Sequence, residues 1–335
     1  MHPDAPPDES NVLEKVETAL KQAVREDSHL SWEYGTRIKR QKYTYLAVEH
    51  FTEGEEDFSV TYSWYKFGAV MPAAPKSGTV GPASTQMPTP DARKAGVFSA
   101  TFEEIVDFYR TSDFTPELNQ ESWYANDLNF LETFYESHAP EEYRDLYLAN
   151  IALRQHLNSA LEQLQSDHGD SQADQSNPVI GTGQYEEVGR AAAQIHLDLV
   201  GIDALGETLD EVREFTNLVE DAFLVLSQTP PSEVTKSQVD ALKELEEVYN
   251  EWVWEYPALL MSKETANGPN APTLRKWSSQ KHLSVEDNLQ KHINRVTRSC
   301  VDAGLVPSSD QYPEHDDDVE TIGRTVTLEA IRKDE

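Results

Sequence analysis

The chain has 335 residues, 38% of them hydrophobic, and its 60 acids against 28 bases give a formal charge of -32. That length suffices for two domains with real cores, whereas the charge opposes binding to polyanions. A single cysteine, Cys300, excludes an internal disulfide and any cysteine-rich zinc site.

Ser10 is placed to cap a first helix carrying Val12, Leu13, Val16, Leu20 and Val24 at helical spacing. Thr36 caps a second, Arg37 to about Thr52, whose broad apolar face predicts a central helix covered on more than one side. Residues 58–67 alternate aromatic and polar side chains and suit either a short helix or a strand, ended by Gly68 and Pro72. Residues 71–98 read as a flexible loop, rich in proline, glycine and small polar residues. Ser99 is the expected cap of a helix with Phe102, Ile105, Val106 and Tyr109 in a stripe, and helices over 121–137 and 141–165 complete a first domain.

A polar linker at 166–183 marks the expected boundary with a second helical domain, 184–304. Its core is predicted as a long antiparallel hairpin. One arm covers 207–226; the other starts at a Thr235–Gln238 capping box, carries Leu242, Leu245, Tyr249, Trp252, Tyr256 and Leu259, and is kinked or ended by Pro257. Helix follows over 273–303, broken or capped near Ser284 and ended by Gly304 and Pro307. Residues 305–335 form an acidic tail, in which Thr325–Ile331 suit a strand. Strand signals are few and no repeat of fixed period occurs, so the expected class is all-α.

The acids are spread over the chain and therefore describe a surface. Its self-repulsion acts over about 10 Å at 0.1 M salt and about 3 Å near 1 M, which predicts a halophile's salt-rich cytoplasm. No run of 18 apolar residues occurs, and the opening MHPDAPPDES lacks the basic and apolar regions of a signal peptide. Neither a membrane nor export is expected.

Phosphate-binding GxxxxGK[ST], dinucleotide GxGxxG, HExxH, GxSxG and EF-hand patterns are all missing, so no cofactor or metal is expected. Arg275 and His282, seven apart, resemble the RNA-cleaving signature of the HEPN family, in which the histidine moves a proton and the arginine stabilises phosphate charge. Arg37, Lys39, Arg40 and Lys42 form the strongest basic cluster: a phosphate-contacting helix start on one reading, a solvated helix face on the other. The whole-chain charge argues for the solvated face. Tyr62, Trp64, Tyr65 and Phe67, with Tyr249 and Trp252 on the hairpin, are core or partner-binding aromatics.

The run YTYLAVEHF, a spacer and then YSWYKFGAVMP, within residues 43–72, resembles the N-terminal signature of the Panacea or SocA-like antitoxin family. It is also similar to a group of haloarchaeal proteins with a YYWYKYGPV-like run. Phe67 and Ala69 stand where the antitoxin turn usually has tyrosine and proline. The resemblance implies a helical interaction module that neutralises a toxin or serves as an adaptor, and supplies no catalytic residues. The expected function is therefore non-enzymatic protein–protein binding, with a helical ribonuclease using Arg275 and His282, or a nucleic-acid binder using Arg37–Lys42, as alternatives.

Overall fold

The computed structural model of the protein describes residues 7–52, 60–71, 98–110, 118–167 and 180–308. Helix α1, Pro7–Glu26, begins upstream of the expected Ser10 cap and buries Leu13, Val16, Leu20 and Val24. Helix α2, Arg37–Phe51, starts at Thr36, whose side-chain oxygen accepts from the Lys39 amide. Its buried positions run without interruption from Lys42 to Val48, the mark of a helix covered on several sides.

Residues 62–70 resolve as a strand pair. Strands β1, Ser63–Tyr65, and β2, Gly68–Val70, pair antiparallel with Trp64 opposite Ala69. Gly68 does not end the element; at φ 79° it turns the chain into β2, and a Cβ there would lie 2.7 Å from the Tyr135 ring.

Helix α3, Phe102–Arg110, is capped by Thr101 rather than Ser99, because the Thr101 hydroxyl accepts from the Glu104 amide while the Glu104 carboxylate accepts from the Thr101 amide. The helix expected over 121–137 divides into α4, Gln120–Tyr124, and α5, Asp127–His138, since the Asn126 side chain caps a fresh start. Helix α6 spans Glu141–Asp167. Helix α7, Thr182–Gly201, was not among the predicted elements, and its inner face is built on Val188, Ala191, Ala192, Ile195 and Leu199. Helix α8 is Leu209–Gln228. Helix α9, Lys236–Val248, opens on the predicted Thr235–Gln238 capping box. A π turn, Tyr249–Val253, leads into α10, Glu255–Thr265, which carries Pro257 without ending there. Helix α11 runs unbroken through Ser284 over Ala271–Ala303, about 50 Å, and closes on Gly304 at φ 70°.

A long antiparallel hairpin is present, with other arms than expected. Helix α8 packs chiefly on α7, whereas α9, the π turn and α10 run back along α11. Tyr256 stacks on His282, Trp252 on His292, and Glu244 accepts from Arg295, so partners climb one arm as they descend the other. One continuous apolar core joins elements on both sides of residues 168–179: α6 packs on α7 and α9, and β1 on α10. Between the hairpin strand and the two long helices runs a buried hydroxyl chain, Ser63 to Ser262 at 2.9 Å and Ser262 to Ser278 at 2.9 Å.

Residues 72–97 of the expected loop, 168–179 of the expected linker and 309–335 of the expected tail lie outside the described residues. No described helix is long and apolar enough to cross a membrane.

His196 on α7 rests its Nε2 2.7 Å from the Thr216 hydroxyl, and burial, aided by the Arg213 charge, pushes its pKa down to about 4. Between pH 6.5 and 4 the unfolded chain takes up a proton here that the folded chain refuses, so stability falls as the solution is acidified through that interval. The half-buried ring limits the effect to about 1–2 kcal/mol. Denaturant midpoints at pH 6.5 and 4.5 should converge in His196→Gln relative to the parent; an unchanged gap would remove the assignment.

Candidate functional site

An open cleft lies where α2, β1, the α5–α6 corner and the α10–α11 connection meet. Tyr45 and Glu49 stand one turn apart on α2, and the Tyr45 hydroxyl donates to Glu49 Oε1 at 2.7 Å. Tyr62 exchanges two backbone hydrogen bonds of 3.0 Å with Asn267, which fastens the strand to the connection. Gly268 makes this approach possible: at φ 95°, a Cβ would fall 2.6 Å from the Val60 carbonyl oxygen. The Trp64 amide donates to Thr265 Oγ1 at 2.8 Å.

These contacts border an open cleft of about 510 Å³ with Tyr45, Tyr62 and Trp64 as its aromatic wall and Glu49, His138, Glu264 and Arg275 around it. The Tyr45 ring lies 5.4 Å from Tyr62 and 5.9 Å from Trp64. Burial and the adjacent Glu49 carboxylate drive the Tyr45 pKa upward, and burial raises that of Tyr62. Both phenols therefore stay protonated at neutral pH, as donors and apolar faces rather than bases. Arg275 donates through Nη2 to the Ala266 carbonyl at 2.7 Å, which holds its guanidinium at the cleft. Among the described residues no group of three or more His, Cys, Asp or Glu side chains is placed to hold a metal ion.

Of the predicted residues, Tyr62, Trp64 and Arg275 meet here. Tyr65 points elsewhere, donating to Glu255 Oε1 at 2.6 Å and meeting Trp277 edge-on at 5.7 Å. Phe67 lies under the Arg154 guanidinium at 5.1 Å. Tyr249 is buried and donates to Asn150 Oδ1 at 3.0 Å, while Trp252 stacks on His292 at 3.8 Å. The hairpin aromatics are thus spent on helix packing rather than on an open edge.

His282 stacks on Tyr256 at 4.6 Å, with its Nε2 3.9 Å from Glu207, and burial lowers its pKa. Seven helical residues separate it from Arg275 by about 10 Å, and different neighbours hold the two. In the basic cluster only Arg37 is exposed. Arg40 covers the Trp32 ring at 5.1 Å. Lys39, 2% exposed, donates to the Trp123 and Ala125 carbonyls at 2.7 and 2.6 Å, and Lys42, fully buried, donates to the Ala69 carbonyl. Two of its four charges therefore fasten α2 to its surroundings and face no solvent.

The sequence reading passed over Tyr45, Glu49, His138, Glu264 and Asn267 as site residues. Only the Tyr45–Glu49 spacing offered a local signal. Buried Glu9 was also missed: its carboxylate accepts from the Thr61 amide at 2.8 Å, the Thr61 hydroxyl at 3.0 Å and the Asn270 side-chain amide at 2.6 Å.

Fold and cleft together define an all-α protein with one small strand pair wedged against a long helical hairpin and an aromatic groove at their junction. Over residues 1–331 the chain matches the family described as a domain of unknown function, DUF8098, and it belongs to that family. Neither the curated proteins nor the solved structures yield a match.

Proposed function

We propose that the protein acts by binding another protein, receiving in this cleft a segment that presents an arginine or lysine. The observation that carries the reading is the pairing of an aromatic wall, Tyr45, Tyr62 and Trp64, with the carboxylates of Glu49 and Glu264, two acids against the single guanidinium of Arg275. Tyr62, the partly exposed ring of that wall, attracts a cation placed over it, and neighbouring carboxylates add a second attraction. The chain's charge of -32 favours a basic partner once the two surfaces touch, since salt near 1 M screens attraction beyond about 3 Å. Tyr45, Glu49, Tyr62 and Trp64 also fall inside the stretch that resembles toxin-neutralising modules, so a small basic toxin is the partner to test first. The reading includes a salt-rich cytoplasm, supported by the spread of acids along the chain.

Full-length protein purified from a salt-adapted host should bring down a basic partner. Tyr62→Ala should weaken that association by about tenfold or more, as for an aromatic hot spot, and Glu264→Lys should weaken it further through charge reversal. Both variants should keep the parent's helical circular dichroism. Equal retention of the partner by parent and variants, or a strictly solitary monomer, would sink the proposal.

A further inference from the structure

A second polar cluster lies inside the fold, away from the cleft. Asn150 and Arg154 stand one turn apart on α6, beneath the Lys66–Phe67 turn of the strand pair, with Arg154 Cζ 5.1 Å from the Phe67 ring centre. Tyr135 on α5 approaches the same helix, its ring 4.7 Å from Tyr147, and the π turn contributes Tyr249 and Asn250. Burial lowers the Arg154 pKa, and Tyr135, Tyr249 and Glu246 lie near enough to oppose that shift.

Arg154 Nε and Nη1, the Tyr135 hydroxyl and Asn150 Nδ2 are fully buried and meet no hydrogen-bond partner. All four can donate. Asn150 has its Oδ1 committed to Tyr249, so the amino group is the end left over. Unpaired buried donors are costly, and a charged one most of all. The neighbouring cations are already countered, since Lys66 and Lys281 lie 3.9 and 3.7 Å from the Glu255 carboxylate. Glu246 takes the Asn250 side-chain amide instead of pairing with Arg154.

We propose that Arg154, Tyr135 and Asn150 form a binding site for a small monovalent anion, a halide or a single carboxylate group. A water offers only two lone pairs and no charge, whereas an anion can accept from several of these donors and adds a negative charge beside the guanidinium. Glu246 and Asp127 lie near enough to Arg154 to act on its charge, and they repel a dianion such as phosphate more strongly than a monovalent anion.

The test uses the full chain at constant high ionic strength, with bulky gluconate as the reference salt. Titrated chloride or formate should raise Tm along a saturating curve. A response to chloride alone assigns a halide, and one to formate a carboxylate. Tyr135→Phe removes a donor that holds nothing else, so it should fold normally and need about tenfold more anion for half-saturation. Glu246→Gln should need about tenfold less, because a repelling charge is gone. In bromide-soaked crystals the anomalous peak should sit between Arg154 Nε, the Tyr135 hydroxyl and Asn150 Nδ2. Identical titrations for parent and both variants would overturn the site. So would crystals in which Asn250 Oδ1 has turned onto Arg154 with no anion bound. A bromide peak without a saturating response in solution would mean an adventitious ion only, and would overturn it too.

Discussion

Replacing Lys42 by methionine is expected to flatten the pH dependence of stability above neutrality and to make the protein more stable below it. Lys42 lies wholly inside the fold, its ammonium donating to the Ala69 carbonyl with no carboxylate beside it among the described residues, and burial pulls its pKa down to about 7. From pH 7 to about 10.5 the unfolded chain holds a proton here that the folded chain has given up, so folding stability climbs with pH at about 1.4 kcal/mol per unit. Over that whole interval the climb amounts to at most about 5 kcal/mol, and below pH 7 the cost of the buried charge is present in full. Methionine fills the same channel without the charge, but it leaves the Ala69 carbonyl without a donor at a cost of about 1–2 kcal/mol. At pH 6 Lys42→Met should therefore gain about 3 kcal/mol. Lys39, whose pKa burial also lowers, remains in both proteins and contributes equally to each. Buried tyrosines such as Tyr135 and Tyr249 act in the opposite sense only above pH 10, so urea unfolding between pH 6 and 9 isolates the lysine. Equal slopes in parent and variant would refute the account.

Glu9→Ala should destabilise the protein by about 3–5 kcal/mol. The carboxylate is 3% exposed and accepts from three donors, the Thr61 amide, the Thr61 hydroxyl and Asn270 Nδ2. Alanine would strand all three, at about 1–3 kcal/mol for each donor that water cannot reach. The same network holds the start of α11, because Asn270 is its first flanking residue and its own amide donates to Thr61 Oγ1 at 2.8 Å. Beyond the loss in unfolding free energy, hydrogen exchange should speed up at both ends of the network, around Thr61 and around Asn270. A loss under 1 kcal/mol would mean that water or a neighbour replaces the carboxylate. Glu9→Gln should fall between, since its amide keeps one acceptor and turns a second donor towards Thr61 or Asn270.

Those two side chains also mark where sequence reasoning stops. Periodicity at three and four residues was enough for the strongly patterned helices: α1 shows Val16, Leu20 and Val24 inside, and Thr36, Thr235 with Gln238, and Gly304 sit at the helix ends their chemistry requires. Helix α7 escaped because alanines make up much of its inner face and their small side chains give a faint stripe. The aromatic run at 62–67 was ambiguous because a three-residue strand is too short for alternation to tell it from a helical turn. Lys39 and Lys42 read as solvated because a lysine's type says nothing of where its ammonium ends, and their carbonyl partners lie 27 to 86 residues away. The cleft was invisible for the same reason. Its walls come from α2, β1, the α5–α6 corner, the end of α10 and α11, and only their packing brings Tyr45, Tyr62, His138 and Arg275 together.

The chain of alcohols from Ser63 through Ser262 to Ser278 fixes more than local geometry. Turning α10 or α11 by one residue swings a side chain through about 100°, which would leave an alcohol sealed away from both water and a mate. Only one alignment of strand and helices satisfies all three, so the groove beside them has its width set before any visitor arrives. On the proposed reading, a segment docking there would meet a preformed groove, forfeit little entropy in shaping it, and be selected by fit rather than by coaxing the backbone into place.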